Sequence, residues 1–123
     1  MESLPFPPAL LTAFAMLALL FLVTGLTRPR GVDPDQAREL VEQGALLVDV
    51  RTPQEYEQHH IPGALNLPLQ ELDNRISELP EDQDIVLYCR SGARSGRALQ
   101  RLQSLGYSDV YDLGSISRWP ARP

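Results

Sequence analysis

The sequence predicts an α/β fold: a mostly parallel five-stranded sheet with helices on both faces, preceded by one N-terminal hydrophobic helix. Three observations predict it. Short apolar runs that read as buried strands alternate with segments of helical pattern, the order that builds a parallel sheet. Two of the helical segments open on the same signal, a capping residue followed by proline. An uncharged apolar run, Ala9 to Leu26, stands ahead of them all.

The 123-residue chain has a net charge of −5. That length suits one small domain with a real core. All eleven cationic residues are arginine and none forms a basic tract, which argues against nucleic acid as a partner. A single cysteine, Cys89, leaves no intramolecular disulfide and no paired-cysteine metal site.

Residues 1–29 read as a hydrophobic segment and linker, and residues 30–123 as the domain. Between Ser3 and Thr27 there is no charge. As a helix, Ala9 to Leu26 would span about 27 Å, enough for a bilayer core. The first reading is a single-pass membrane anchor; the alternative is a signal peptide, with the domain exported to the periplasm. The start, Met1-Glu2-Ser3-Leu4-Pro5, lacks a basic n-region, and Arg28 and Arg30 lie on the far side of the apolar run. That asymmetry places the domain on the cytoplasmic side.

Within the domain, Asp33-Pro34-Asp35-Gln36 reads as an N-cap, a first-turn proline and a capping-box glutamine, opening a helix to about Glu42 that Gly44 stops. Ala45 to Val50 is a strand, apolar on both faces. Thr52-Pro53-Gln54-Glu55 repeats the capping device and opens a short helix to about Gln58. Ile61-Pro62-Gly63 is a turn and Ala64 to Leu67 a short strand. Leu69, Leu72, Ile76 and Leu79 fall on one face of a helix that Pro80 ends. Asp84 to Tyr88 is the central strand. Arg97 to Leu105 is a helix burying Ala98, Leu102 and Leu105, capped by Gly106. Asp109 to Asp112 is the last strand.

The chemistry concentrates in Cys89-Arg90-Ser91-Gly92-Ala93-Arg94-Ser95. The only cysteine sits at the C-terminal end of a strand, where the chain turns into a helix, the place where open α/β sheets bind ligands. The backbone N–H groups of such a small polar loop can form an anion-binding nest, and the helix dipole adds to the field. Flanking arginines act in the same direction, so the thiolate is favoured.

Three segments together resemble the single-domain rhodanese (sulfurtransferase) family: Leu47 to Tyr56, His60 to Pro68, and Val86 to Ser95. The resemblance spans roughly residues 31–119. It implies a rhodanese-like fold in which Cys89 takes a sulfane sulfur from a small anionic donor such as thiosulfate. The resulting persulfide passes the sulfur to cyanide or a thiol, including a protein thiol. No metal or organic cofactor is required. Where the family has a Gly-Gly pair before a late tryptophan, this chain has Gly114-Ser115 and then Trp119, which implies a short or missing final helix.

For that reaction the backbone from Arg90 to Ser95, through Ser91, Gly92 and Ala93, would hold the sulfur anion. Arg94, and with it Arg90, would bind anionic oxygens of the donor. Asp49 and Arg51 read as a supporting ion pair near the loop. His60 reads as a backbone hydrogen-bonding residue, Trp119 as packing, and Arg97 and Arg101 as solvated or anion-steering. The alternatives are a non-catalytic binding or regulatory module at the membrane, or a Cys-dependent phosphatase or arsenate reductase. The phosphatase loop is one residue longer than the stretch from Cys89 to Arg94.

Overall fold

The computed structural model describes residues 7–26 and 31–121. Helix α1 covers Pro8–Leu26, and its side chains are exposed as far as they are described, to Leu20. Among the described residues no helix is long and apolar enough to cross a membrane. The expected membrane segment therefore finds no support among the described residues.

The domain is a four-stranded sheet in the order β2-β1-β3-β4, built from β1 (Leu46–Asp49), β2 (Leu65–Asn66), β3 (Ile85–Cys89) and β4 (Val110–Ser115). Every pairing is parallel. This corrects the expected five strands to four. Beside β4, where a further edge strand would lie, Val32 N–H makes a backbone bond to Asp112 at 3.0 Å. The ladder cannot continue from there, because Asp33 already caps helix α2 (Pro34–Glu42) and Pro34 has no N–H to give.

Side chains alternate along the strands into two cores. Val48, Ile85, Leu87 and Cys89 face α4 (Ala93–Ser104) and the segment from Leu69 to Leu79. Leu47, Val86 and Tyr88 face α2 and, with Tyr56, α3 (Pro53–Gln58). Both helices start where the sequence places them, though the structure shows the capping box at Thr52 and not at Asp33 with Gln36. Asp33 accepts from Asp35 N–H at 3.1 Å. Thr52 and Glu55 make the full reciprocal capping box.

Three local expectations change. The helix expected over Leu69 to Leu79 is two 3-10 turns, Leu69–Glu71 and Ile76–Glu78. Asp73-Asn74 lies between them, and such side chains compete with the helical backbone for hydrogen bonds. The apolar face survives the change: Leu72 and Leu79 are buried, with Leu69 and Ile76 packed against them. Helix α4 starts at Ala93, inside the stretch read as loop. At its other end Leu105 is the C-cap and is exposed, while Leu99, one turn back and a half, is buried. The last element is one 3-10 turn, Ile116–Arg118, followed by Trp119 packed on the α2 side of the sheet.

Candidate active site

Cys89 ends β3, and its side chain is fully buried. Three residues on, Gly92 takes φ +101° as the N-cap of α4. That left-handed conformation is one L side chains rarely adopt, and a Cβ there would have room, so the backbone angle is what asks for glycine. The turn brings the start of α4 over the sulfur. Gly92 N–H donates to Sγ at 2.9 Å. The Cys89 thiol donates to Ser95 Oγ at 3.4 Å, and the Ser95 hydroxyl donates to Gly92 C=O at 3.2 Å. Gly92 has no side chain to cap the helix, so the sulfur itself is an acceptor for the unpaired N–H groups at the helix start.

Two opposed effects set the thiol's acidity. Burial pushes the Cys89 pKa up. Hydrogen bonds from the Ser95 hydroxyl and from the backbone N–H groups of Ser95, Gly92 and Ser91 pull it down, and together they win, so the net shift is downward. Replacing Ser95 by alanine removes one of those donors and leaves the backbone in place. The pH profile of iodoacetamide alkylation at Cys89 is then expected to move to higher pH. An unmoved profile would mean that the backbone alone holds the thiolate.

The structure divides the predicted site residues into groups. Ser91 and Gly92 remain loop, but Ala93, Arg94 and Ser95 are the first turn of α4. Arg90 is exposed, and its carbonyl accepts from Ser115 Oγ at 2.7 Å, tying the loop to the end of β4. Arg94 sits within electrostatic reach of Cys89, but its guanidinium is engaged. Nη1 and Nη2 meet the two carboxylate oxygens of Glu55 at 2.6 and 2.9 Å. Glu55 in turn accepts from Thr52 N–H and Oγ1 at 3.3 and 3.1 Å. The Arg94 guanidinium lowers the Glu55 carboxyl to a pKa of about 2.

Asp49, at the end of β1, and Arg51 are buried. Arg51 Nε and Nη2 reach the Asp49 carboxylate at 3.0 and 2.7 Å, and Arg51 N–H adds a third bond at 2.9 Å. Arg51 Nη2 also donates to His59 C=O at 2.6 Å, and its guanidinium lies over the Tyr88 ring. Asn66 Nδ2 bonds the carbonyls of both Asp49 and Arg51. The cluster therefore fixes the C-terminal ends of β1 and β2 beside Cys89. His60 stacks on Tyr56 and its Nδ1 meets Tyr56 C=O at 2.8 Å, away from any reacting group. Arg101 is paired with Asp73 on the surface at 2.8 Å.

Sequence reasoning missed Glu55 as a site residue because its local role, the capping box, accounted for it fully. It also passed over Asp112, whose carboxyl is pushed up by burial against hydrogen bonds from Ser95 and Gly114 and the charge of Arg118. Among the described residues no group of three or more His, Cys, Asp and Glu side chains could hold a metal.

Residues 33–122 match the model of the rhodanese-like domain family. The chain belongs to that family. A sulfurtransferase of Allochromatium vinosum is 50% identical over 78 residues, which are 63% of this chain and 73% of that protein. The thiosulfate sulfurtransferase GlpE of Pseudomonas syringae is 39% identical over 95 residues, 76% of this chain and 90% of its own length. Among solved structures, the human single-domain sulfurtransferase TSTD1 superposes with a TM-score of 0.65 at 30% identity, covering 72% of this chain and 93% of that one. These relationships make the rhodanese-like domain here a thiosulfate sulfurtransferase-like enzyme, and the family match over residues 33–122 includes Cys89.

Proposed function

We propose that this domain transfers a sulfane sulfur through a persulfide on Cys89. One observation carries the reading: a buried cysteine sulfur at the start of a helix, ringed by hydrogen-bond donors that favour its anion. In the first half-reaction the Cys89 thiolate attacks the outer sulfur of thiosulfate. A Cys89 S–S bond forms, the donor's S–S bond breaks, and sulfite leaves with the electron pair. The N–H groups that hold the thiolate are suited to hold the persulfide anion in turn. In the second half-reaction a nucleophile, cyanide or a small or protein thiol, takes the outer sulfur and returns Cys89 to its thiolate. Such a covalent route gives ping-pong kinetics. Exposed Arg90 supplies positive charge at the mouth for an anionic donor.

The test is intact mass spectrometry of the protein after thiosulfate treatment and desalting. A gain of one sulfur atom, lost on adding cyanide with release of thiocyanate, is the expected result. No gain, with the thiol still open to alkylation, would overturn the reading.

Placement of the domain at the cytoplasmic face of a membrane rests on sequence alone, on the apolar run to Leu26 followed by Arg28 and Arg30. Alkaline extraction of membranes from cells making the full chain checks it. Retention in the pellet supports an anchor, and release into the wash rules one out.

A further inference from the structure

Arg94, in the first turn of α4 and within electrostatic reach of Cys89, is a cation that could receive the oxygens of a donor, and it is occupied. Both terminal nitrogens face Glu55, oxygen to nitrogen, in a two-pronged pair. That geometry is the one a sulfonate or thiosulfate oxygen pair would itself require. The pair bridges residues 39 apart in the chain, so it does not follow from the turn of α4. Glu55 is held from its other side by Thr52. The carboxylate is therefore tied to the start of α3. Both side chains are partly buried, at 30% and 24% exposed.

We infer that Glu55 sets which sulfur donor the site accepts: by occupying Arg94 it disfavours doubly charged donors such as thiosulfate relative to singly charged sulfane donors. This rests on the sulfurtransferase reading above. A dianion must either displace Glu55 from Arg94 or bind without that arginine, and in both cases it approaches a carboxylate. A donor with one negative charge loses less on each count. Glu55 is thus a positioning residue acting through Arg94, and it makes no contact with the sulfur.

Acid does not relieve the competition. The Glu55 pKa is depressed to about 2, so its pair with Arg94 is intact above the ordinary carboxyl value and is lost only as pH falls through about 2. Donor preference is therefore flat between about pH 5 and 8, apart from the titration of Cys89.

Glu55→Gln tests the inference cleanly. Glutamine is nearly isosteric and still serves the capping box, so α3 keeps its start; thermal melts verify this. Binding of thiosulfate (a dianion) and methanethiosulfonate (a monoanion) is measured by calorimetry on full-length Cys89→Ser, with and without Glu55→Gln. The expected result is thiosulfate binding tightened about tenfold, the worth of one charge-assisted contact, against less than about threefold for methanethiosulfonate. In the enzyme with Cys89 intact, the KM for thiosulfate falls. Adding Arg94→Ala should erase most of the gain. Equal tightening of both donors, no tightening, or a gain undiminished by Arg94→Ala would overturn the inference. Because the calorimetry needs no turnover, the donor pattern with no persulfide on Cys89 would sink the sulfurtransferase reading and leave Glu55 as the selector of anions at this site.

Discussion

Cys89→Ser abolishes sulfur transfer and leaves the fold standing. The loss is expected to be at least about 10⁴-fold, the scale on which deletion of a covalent nucleophile acts. No other group of the loop can take the role, since Cys89 is the only cysteine of the chain and the hydroxyl of Ser95 serves as a hydrogen-bond partner to it. Stability should change by no more than about 1 kcal/mol, because the new hydroxyl can still accept from Gly92 N–H. The checks are thiocyanate release and mass spectrometry on the variant, beside a urea melt. Turnover that survives the substitution would place the sulfur on another group and end the persulfide mechanism.

Asp49→Asn should be the most damaging change outside the loop. Asp49 is fully buried and Arg51 is 5% exposed, so the substitution strands a guanidinium that cannot reach water. Breaking one side of a buried pair costs about 3–5 kcal/mol. Small domains hold only about 5–15 kcal/mol in total, so the urea midpoint should fall steeply, with the slope unchanged. Arg51→Met added to an apolar replacement of Asp49 should recover part of the loss, because no charge is then left unpaired. A loss under about 1 kcal/mol would mean that solvent reaches Arg51. The consequence extends to the site. Asp49 and Arg51 pin Asn66 and the His59 carbonyl around the end of β1, and β1 is the strand beside the one that carries Cys89.

How far each feature could be read from the sequence depends on how local its cause is. The capping box at Thr52 and Glu55 spans four residues, and it formed as read. The placement of Cys89 at a strand end needed only the apolar run before it and the helical pattern after it. The true start of α4 was harder, because Ala93-Arg94-Ser95 carries no capping side chain; the helix begins there because Gly92 turns left-handed and the sulfur accepts its N–H. The helix expected over Leu69 to Leu79 had the right face and the wrong pitch. Periodicity reports which side chains are buried, and a pair of 3-10 turns can bury the same four. Leu105 looked like the next core position of α4, but the helix ends just before it, and Leu99 fills the core.

The order of the residues thus determined the class of fold, the alternation of strands and helices, and the place of the single cysteine at the end of β3. Each follows from hydrophobic period, caps and turns, whose reach is a few residues. Tertiary structure alone decided that the sheet closes at four strands and that Arg94 faces Glu55 rather than an open site. A long charged side chain finds its partner across the fold, where burial removes water as a competitor, and no local pattern names the carboxylate that will be waiting there.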